Sequence, residues 1–414
     1  MKGVFILNDE VDICVKSSGF KKYISRFLFC IILIVITAIV TYVFTVNVTI
    51  NLYLSRANSA YMTAKMSLVK NKLESTYIYD IDNDKMIEGA IKGYVSGLGD
   101  KYTQYLTKQE LQSLMEATTG NYVGIGVYLA YNSETNEIIV MGTIEGSTGE
   151  NAGIQAGDVI VKVDDLDCNG KHLEDVVNAL KGEIGTNVKV VVKRDHEQME
   201  YNVVRSNVKV KTVASKMITG DIGYIKIASF DEGTTNEFKE NYNKLLSDNP
   251  KGLVIDFRNN GGGVVSEALT IADTMVEKGK VLLITTDKNN KEHIDKAKEN
   301  PIINIPVVVL VNGNTASASE ILASTLRDNC KFKIVGTKSY GKGVIQSVFS
   351  FSDGTAVKVT TNEYFSPNHN VINGEGIKPD VEIELSDEWK NISNIPYEND
   401  LQLQKAVETI GIDK

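Results

Sequence analysis

The sequence predicts an α/β chain with a layered core built on a largely parallel sheet. A smaller mixed α/β domain precedes that core, and a membrane-spanning helix lies at the N-terminus. Three features predict this. Residues 206–385 alternate short apolar strands with amphipathic helices, residues 119–205 turn to β-branched runs around one helix, and residues 27–46 are almost wholly apolar.

No residue from Phe27 to Ser55 is charged, and FLFCIILIVITAIVTYVFTV fills 27–46. About twenty apolar residues cross a bilayer as a helix. Lys16, Lys21, Lys22 and Arg26 precede this stretch, and only Arg56 follows it closely. The positive-inside rule then puts 1–26 in the cytoplasm, the span at 27–50 and the rest outside. A cleaved signal peptide is the competing reading, but the leader is long for one and no A-x-A site follows. Cys30 follows a Phe at the start of the apolar run and makes a poor lipoprotein site. Low proline with abundant Lys, Asn and Ile is the usage of an AT-rich bacterial genome, so the expected location is a bacterial cell membrane.

Over 51–118, Met62, Met66, Leu68, Leu73, Ile87, Ile91 and Leu98 are interleaved with Lys, Glu and Asp, a helical pattern. It suits either a dimerisation arm, giving a homodimer, or a helix pair packed on the core. In 119–205, EIIVMGTI (137–144) and NVKVVVKR (187–194) read as strands, and HLEDVVNALKG (172–182) as an amphipathic helix stopped by Gly182. In 206–385, strands at 223–227, 253–258, 307–312 and 332–336 alternate with helices at 236–248, 265–279 and 319–328. Such alternation predicts a largely parallel sheet, whose ligand sites gather at the carboxyl ends of the strands. The tail, 386–414, carries one more helix at 402–410.

Net charge is −9, which argues against a broad nucleic-acid surface. Cys14, Cys30, Cys168 and Cys330 show neither a CxxC spacing nor a disulfide framework. His172, His196, His293 and His369 lack HExxH-type spacing, so no metal site is expected.

Four loops carry candidate chemistry. Asn312 to Glu320 (NGNTASASE) follows a buried strand and opens a helix. Ser317 can present its hydroxyl beside unpaired helix N–H groups, but Ser317-x-x-Glu320 is equally a capping box. Gly336 to Gly343 (GTKSYGKG) nearly matches a P-loop, yet Gly343 stands where a Mg²⁺-binding hydroxyl is needed and a strand follows. Lys342, flanked by glycines, is either a surface turn lysine or, if buried, a neutral general base. Arg258 to Gly263 (RNNGGG) can present backbone N–H groups or simply turn. Tyr122 to Val127 (YVGIGV) can hold a terminal carboxylate and start a strand that accepts a peptide strand, or be an ordinary turn. No histidine suits a conventional triad: His369, in the turn-rich SPNHN, has no acidic residue adjacent in sequence.

Together these loops resemble the C-terminal processing peptidases, the serine/lysine peptidases of family S41 with an embedded PDZ domain. The similarity runs over about residues 57–410. It rests on GLGDKYTQYLTKQE (97–110), YVGIGV, GSTGENAGIQAGDVIVKVDD (146–165), DFRNNGGG (256–263), NTASASEILA (314–323), GKGVIQ (341–346) and the closing segment 354–380. The resemblance implies a ClpP/crotonase-like peptidase core with an inserted PDZ domain. It implies Ser317 as nucleophile, Lys342 as base and Gln346 as supporting residue. It also implies oxyanion donors at Ala318 and Gly262, and peptide binding at Gly124, Ile125 and Gly126. No metal or cofactor is implied. The implied partners are exported proteins with free apolar C-termini. The chain departs from the family's usual Asn-Pro-Gly-Gly turn, because Gly261 replaces the proline. The alternatives are a catalytically inactive membrane-tethered PDZ adaptor and an acyl-CoA-type enzyme on the same layer, which would need neither Ser317 nor the PDZ domain.

Overall fold

The computed structural model describes residues 18–219, 221–390, 392 and 395–411. The rest of the expected cytoplasmic segment, with Cys14 and Lys16, and the last three tail residues lie outside that range. The chain divides into two compact units, 1–87 and 88–414.

In the first unit, α1 (Ser18–Thr76) is one continuous helix. Nothing breaks it at residue 50, because 47–76 contains no Gly or Pro. Its stretch Phe27–Val46 has a mean hydropathy of 2.9 and is unburied. Twenty residues at about 1.5 Å rise match the roughly 30 Å of a bilayer's hydrocarbon. Among the described residues this is the one helix long and apolar enough to cross a membrane.

α2 (Asn83–Ser96) leads to β1 (Gln104–Leu106) and α3 (Lys108–Thr119). Thr107 caps α3, with Glu110 returning a bond to the Thr107 N–H at 2.8 Å. β1 departs from the helical reading of 51–118. Tyr105 and Leu106 are buried, and β1 pairs with a strand some 250 residues later, so a tertiary partner overrides the local pattern.

The smaller domain is zipped shut where the chain enters and leaves it: β2 (Asn121–Gly124) pairs antiparallel with β9 (Ser206–Lys209). Between them lie β3 (Val127–Asn132), β4 (Glu137–Thr143), α4 (Thr148–Ala152), β5 (Val159–Val163), β6 (Leu166–Asp167), α5 (Leu173–Leu180), β7 (Asn187–Arg194) and β8 (Glu197–Val204). The strand order is β3-β4-β5-β7-β8, so β3 is an edge strand. Val176 and Leu180 of α5 pack on Ile138, Val140, Val188 and Val190.

The larger domain has a central sheet and a second sheet. It comprises β10 (Val213–Ile218), β11 (Ile222–Ile227), α6 (Thr234–Leu246), β12 (Gly252–Asp256), α7 (Val265–Asp273), β13 (Val281–Asp287), β14 (Glu292–Lys296), β15 (Val307–Val311), α8 (Ala318–Cys330), β16 (Lys333–Gly336), β17 (Val344–Ser350), β18 (Ala356–Phe365), β19 (Val381–Glu382) and α9 (Leu401–Ile410). The central order is β10-β11-β12-β15-β16-β19, parallel except for β10 on β11. Alternation sorts the strand residues by face. Leu253, Ile255 and Phe257 pack with Phe238 of α6, Ile271 of α7 and Leu322 of α8, whereas Val254 packs with Leu403 and Ala406 of α9. Covered on both sides, β12 and β15 are wholly buried and apolar except for Asp256 at the end of β12, whose carboxylate pairs with Arg258. The second sheet runs β1-β18-β13-β14, with β17 also on β18. α7 stops at Asp273, short of the expected 279, and Thr274 turns its hydroxyl back to the Ile271 carbonyl at 2.6 Å.

Candidate active site

Ser317 stands where β15 gives way to α8, with φ 57° and ψ −119°. That conformation is strained for a residue with a Cβ, and it persists because the loop is tied down on several sides. The Thr315 hydroxyl donates to the Phe257 carbonyl at 2.8 Å, and the Ala316 N–H donates to the Asn260 carbonyl at 3.0 Å. The Ser317 N–H donates to Glu320 Oε2 at 2.9 Å. Ala318 follows as the first helical residue, fully buried, and its N–H has no acceptor among the described residues. A free N–H at a helix N-terminus is suited to stabilising negative charge.

The glycine turn after β12 backs onto this loop. Gly262 has φ 100°, and a Cβ there would lie 2.8 Å from the Ser317 Cβ and 2.9 Å from the Ala318 nitrogen. Only glycine meets both demands. Gly262→Ala is therefore expected to displace Ser317 and lower the turnover rate by at least about 100-fold. A steady-state comparison beside a thermal melt checks this, and near-normal turnover would refute it. The expected role of the Gly262 N–H is not realised in this arrangement. It donates to Asn260 Oδ1 at 2.8 Å, closing a turn held by the fully buried Asn260, whose amide nitrogen donates to the Ile227 carbonyl at 2.9 Å.

Lys342 lies in the loop between β16 and β17. A strand follows it, as expected from the failed P-loop match. Glu320 joins this loop to the Ser317 loop. Fully buried, it accepts the Ser339 hydroxyl (2.6 Å) and Gly341 N–H (2.7 Å) on Oε1, and the Ser317 and Lys342 N–H groups (2.9 Å each) on Oε2. The Tyr364 hydroxyl makes a second bridge, lying against the Ser317 carbonyl at 3.1 Å and the Lys342 carbonyl. Gly343 fits because a Cβ would come within 2.3 Å of the Asn373 nitrogen.

The Lys342 amine is half-buried over the Tyr102 ring, 4.9 Å from its centroid. Burial, and next the Lys358 charge, push its pKa below the ordinary lysine value, while Tyr340 and Glu320 pull it back up. The Lys342 amine and the Ser317 hydroxyl share no hydrogen bond among the described residues. Gln346 does not reach Lys342 either. It pairs across β17 and β18 with Thr360, and its Nε2 donates to the Thr360 hydroxyl at 3.2 Å. The structure thus brings the backbones of Ser317 and Lys342 together and leaves their side chains apart.

In the smaller domain, Ile125 turns its side chain into the core, so only its backbone remains for a ligand. The N–H groups of Ile125 and Gly126 have no acceptor among the described residues. Gly126 has φ 74°, and the edge strand β3 starts at the next residue.

The motifs quoted from sequence did not assign Asn260, Tyr102 or Tyr364. Glu320 was legible only as a helix cap, although Ser-x-x-Glu after a buried strand was the signal that located it.

Three family models match successive parts of the chain. They are the activating protease CtpB N-terminal domain over 50–110, a PDZ domain over 139–194 and peptidase family S41 over 221–383. The carboxy-terminal processing protease CtpA of Bacillus subtilis is 33% identical over 334 residues, covering 80% of this chain and 70% of that protein. The chain belongs to the C-terminal processing peptidases of family S41. A probable CtpA-like serine protease of Staphylococcus aureus is 34% identical to this S41 peptidase over 353 residues, covering 84% of this chain and 70% of that one. A solved putative S41 protease from Bacteroides fragilis shares the fold at a TM-score of 0.53, with 15% identity over 82% of this chain and 94% of its own. The smaller domain is thus a PDZ domain within a serine peptidase.

Proposed function

We propose that this S41 peptidase is anchored in the bacterial cell membrane by residues 27–50, with 1–26 cytoplasmic, and cleaves near the C-terminal tails of exported proteins. The anchor reading rests on the apolar stretch and the basic residues before it. The remaining organisation is a helical region at 51–118, the PDZ domain at 119–205, a ClpP/crotonase-type core at 206–385 and a tail at 386–414. The mixed sheet flanked by α6–α8 and α9 supports that type of core.

In the proposed chemistry, neutral Lys342 takes the Ser317 proton as Oγ attacks the peptide carbonyl. The Ala318 N–H holds the oxyanion, joined by the Gly262 N–H once it leaves Asn260. The lysine then protonates the departing amine, and water releases the acyl-enzyme. Gln346 steadies the amine in the productive arrangement. The observation that carries this reading is the single Glu320 oxygen accepting both the Ser317 and Lys342 N–H groups. It sets a strained serine and a half-buried lysine side by side. Catalysis requires the Ser317 hydroxyl and the Lys342 amine to close to hydrogen-bond distance while the amine stays against the Tyr102 ring.

Substrate tails with apolar C-termini would place their carboxylate on the Gly124–Gly126 N–H groups and add a strand to β3. The inactive adaptor is not favoured, because every catalytic position is filled and the relatives are named as proteases. The test uses the full chain in detergent with an unfolded protein ending in apolar residues. Cleavage is expected, lost with Ser317→Ala and slowed when the substrate C-terminus is amidated. Cleavage that survives Ser317→Ala would refute the reading.

A further inference from the structure

The segment GLGDKYTQYL (97–106) is fastened to the second sheet of the larger domain. Asp100 accepts the Tyr102 N–H at 3.0 Å and the Thr103 hydroxyl at 2.5 Å. The Thr103 oxygen accepts the Thr360 N–H at 3.0 Å, and β1 continues the pairing along β18. β18 is also the partner of β17, which begins two residues after Lys342. This fastening delivers two side chains to the lysine amine. The Tyr102 ring lies 4.9 Å from the Lys342 nitrogen and 4.8 Å from the Lys101 nitrogen. Lys101 also sits 5.0 Å from the Tyr340 ring and donates to its hydroxyl at 3.1 Å. The two ammonium nitrogens are therefore at most about 10 Å apart, about one screening length at 0.1 M salt.

We propose that Lys101 and Tyr102 are positioning residues for Lys342, the Tyr102 ring confining the amine beside the nucleophile loop and Lys101 supplying part of the positive charge it faces. This rests on the reading of Lys342 as the general base. An amine on a flexible four-carbon stem needs walls to act as a base at one fixed point. Tyr102 is a flat wall whose face attracts a cation. The charged and titratable groups around the amine are Lys101 and Tyr102 on this segment, Tyr340 on its own loop, Glu320 on α8, and Lys358 and Tyr364 on β18. Of these, Lys358 and Lys101 disfavour the ammonium form and Glu320 favours it. The pair thus comes from outside the 206–385 core and acts on that core's base.

The experiment measures kcat, KM and the pH profile of kcat/KM for the full chain. Lys101→Met removes a repelling charge, so the acid limb is expected to move up by about half a pH unit, whereas Lys101→Arg keeps the charge and leaves the limb in place. Tyr102→Leu keeps an apolar cover but loses the ring face, and kcat is expected to fall about tenfold at unchanged KM. Tyr102→Phe keeps the face and restores most of that loss. An acid limb unmoved in Lys101→Met, or wild-type kcat in Tyr102→Leu, overturns the proposal while cleavage still depends on Ser317. If cleavage ignores Ser317, the underlying reading fails and takes this proposal with it.

Discussion

Ser317→Ala, Lys342→Ala and the double variant are expected to fall to one common residual rate, on the order of 10⁵-fold below the intact chain. A nucleophile and its base act as a unit, so losing either removes the same step, and the second loss finds nothing left to remove. Losses that multiplied in the double variant would mean that the two side chains serve separate steps. Lys342→Arg is not expected to rescue activity, because a guanidinium stays protonated throughout. The wild-type pH profile follows from the direction of the Lys342 shift. Only the neutral amine can accept a proton, so the rate rises with pH through the lowered pKa. The acid limb should lie below the value of free lysine, about 10.4. The same shift has a sign in stability. A lysine whose folded pKa is depressed is penalised when charged, so stability is lost as pH falls from the free lysine value through the folded one. Lys342→Met should therefore raise Tm relative to wild type at neutral pH while abolishing cleavage. Thermal melts across pH, paired with the rate measurements, check both signs.

Elements whose identity is decided locally were readable from sequence. β12 and β15 are buried on both faces and read as apolar runs, broken only by Asp256 at the end of β12. α5 shows its core face as Val176 and Leu180, and α8 starts at its Ser-x-x-Glu signature. The loops holding Ser317, Lys342 and the glycines of 261–263 do lie at the carboxyl ends of the central strands, where an α/β sheet exposes backbone N–H groups. What escaped depends on partners distant in sequence. QYL at 104–106 becomes a strand only because β18 offers an edge. Gly262 is in place, but its N–H is claimed by Asn260, a side chain two residues away whose orientation comes from β11. Gln346 follows Lys342 by four residues, and sequence carried no sign that Thr360 would hold its amide. Tyr102, just before β1, and Tyr364, on β18, reach the lysine loop from segments distant in sequence, and only tertiary packing puts them there.

Glu320→Gln is expected to lower kcat by at least about 100-fold and stability by about 2–5 kcal/mol. A carboxylate can accept on both oxygens, and Glu320 uses that capacity fully, with two donors on each. An amide has one acceptor oxygen and one NH₂ group. With its nitrogen toward Ser339 and Gly341, it can still donate to the Ser339 oxygen, but the Gly341 N–H is left facing a donor at the start of the lysine loop. Turned over, it sets the same conflict against the N–H groups of Ser317 and Lys342. Neither orientation satisfies the site, and no solvent reaches it to compensate, since Glu320 is fully buried. The second orientation breaks the link between the Ser317 and Lys342 loops directly. The first takes the acceptor from the Ser339 hydroxyl, which also accepts the Ile377 N–H at 2.6 Å, and so loosens the lysine loop. The damage should appear in kcat more than in KM, because the proposed tail-binding loop of the PDZ domain lies elsewhere. A plain helix cap would behave differently. Losing a cap costs about 1 kcal/mol and leaves the reacting groups in place. A Glu320→Gln variant with near-normal kcat and a Tm drop of cap size would show that Tyr364 alone is enough to hold Ser317 and Lys342 together.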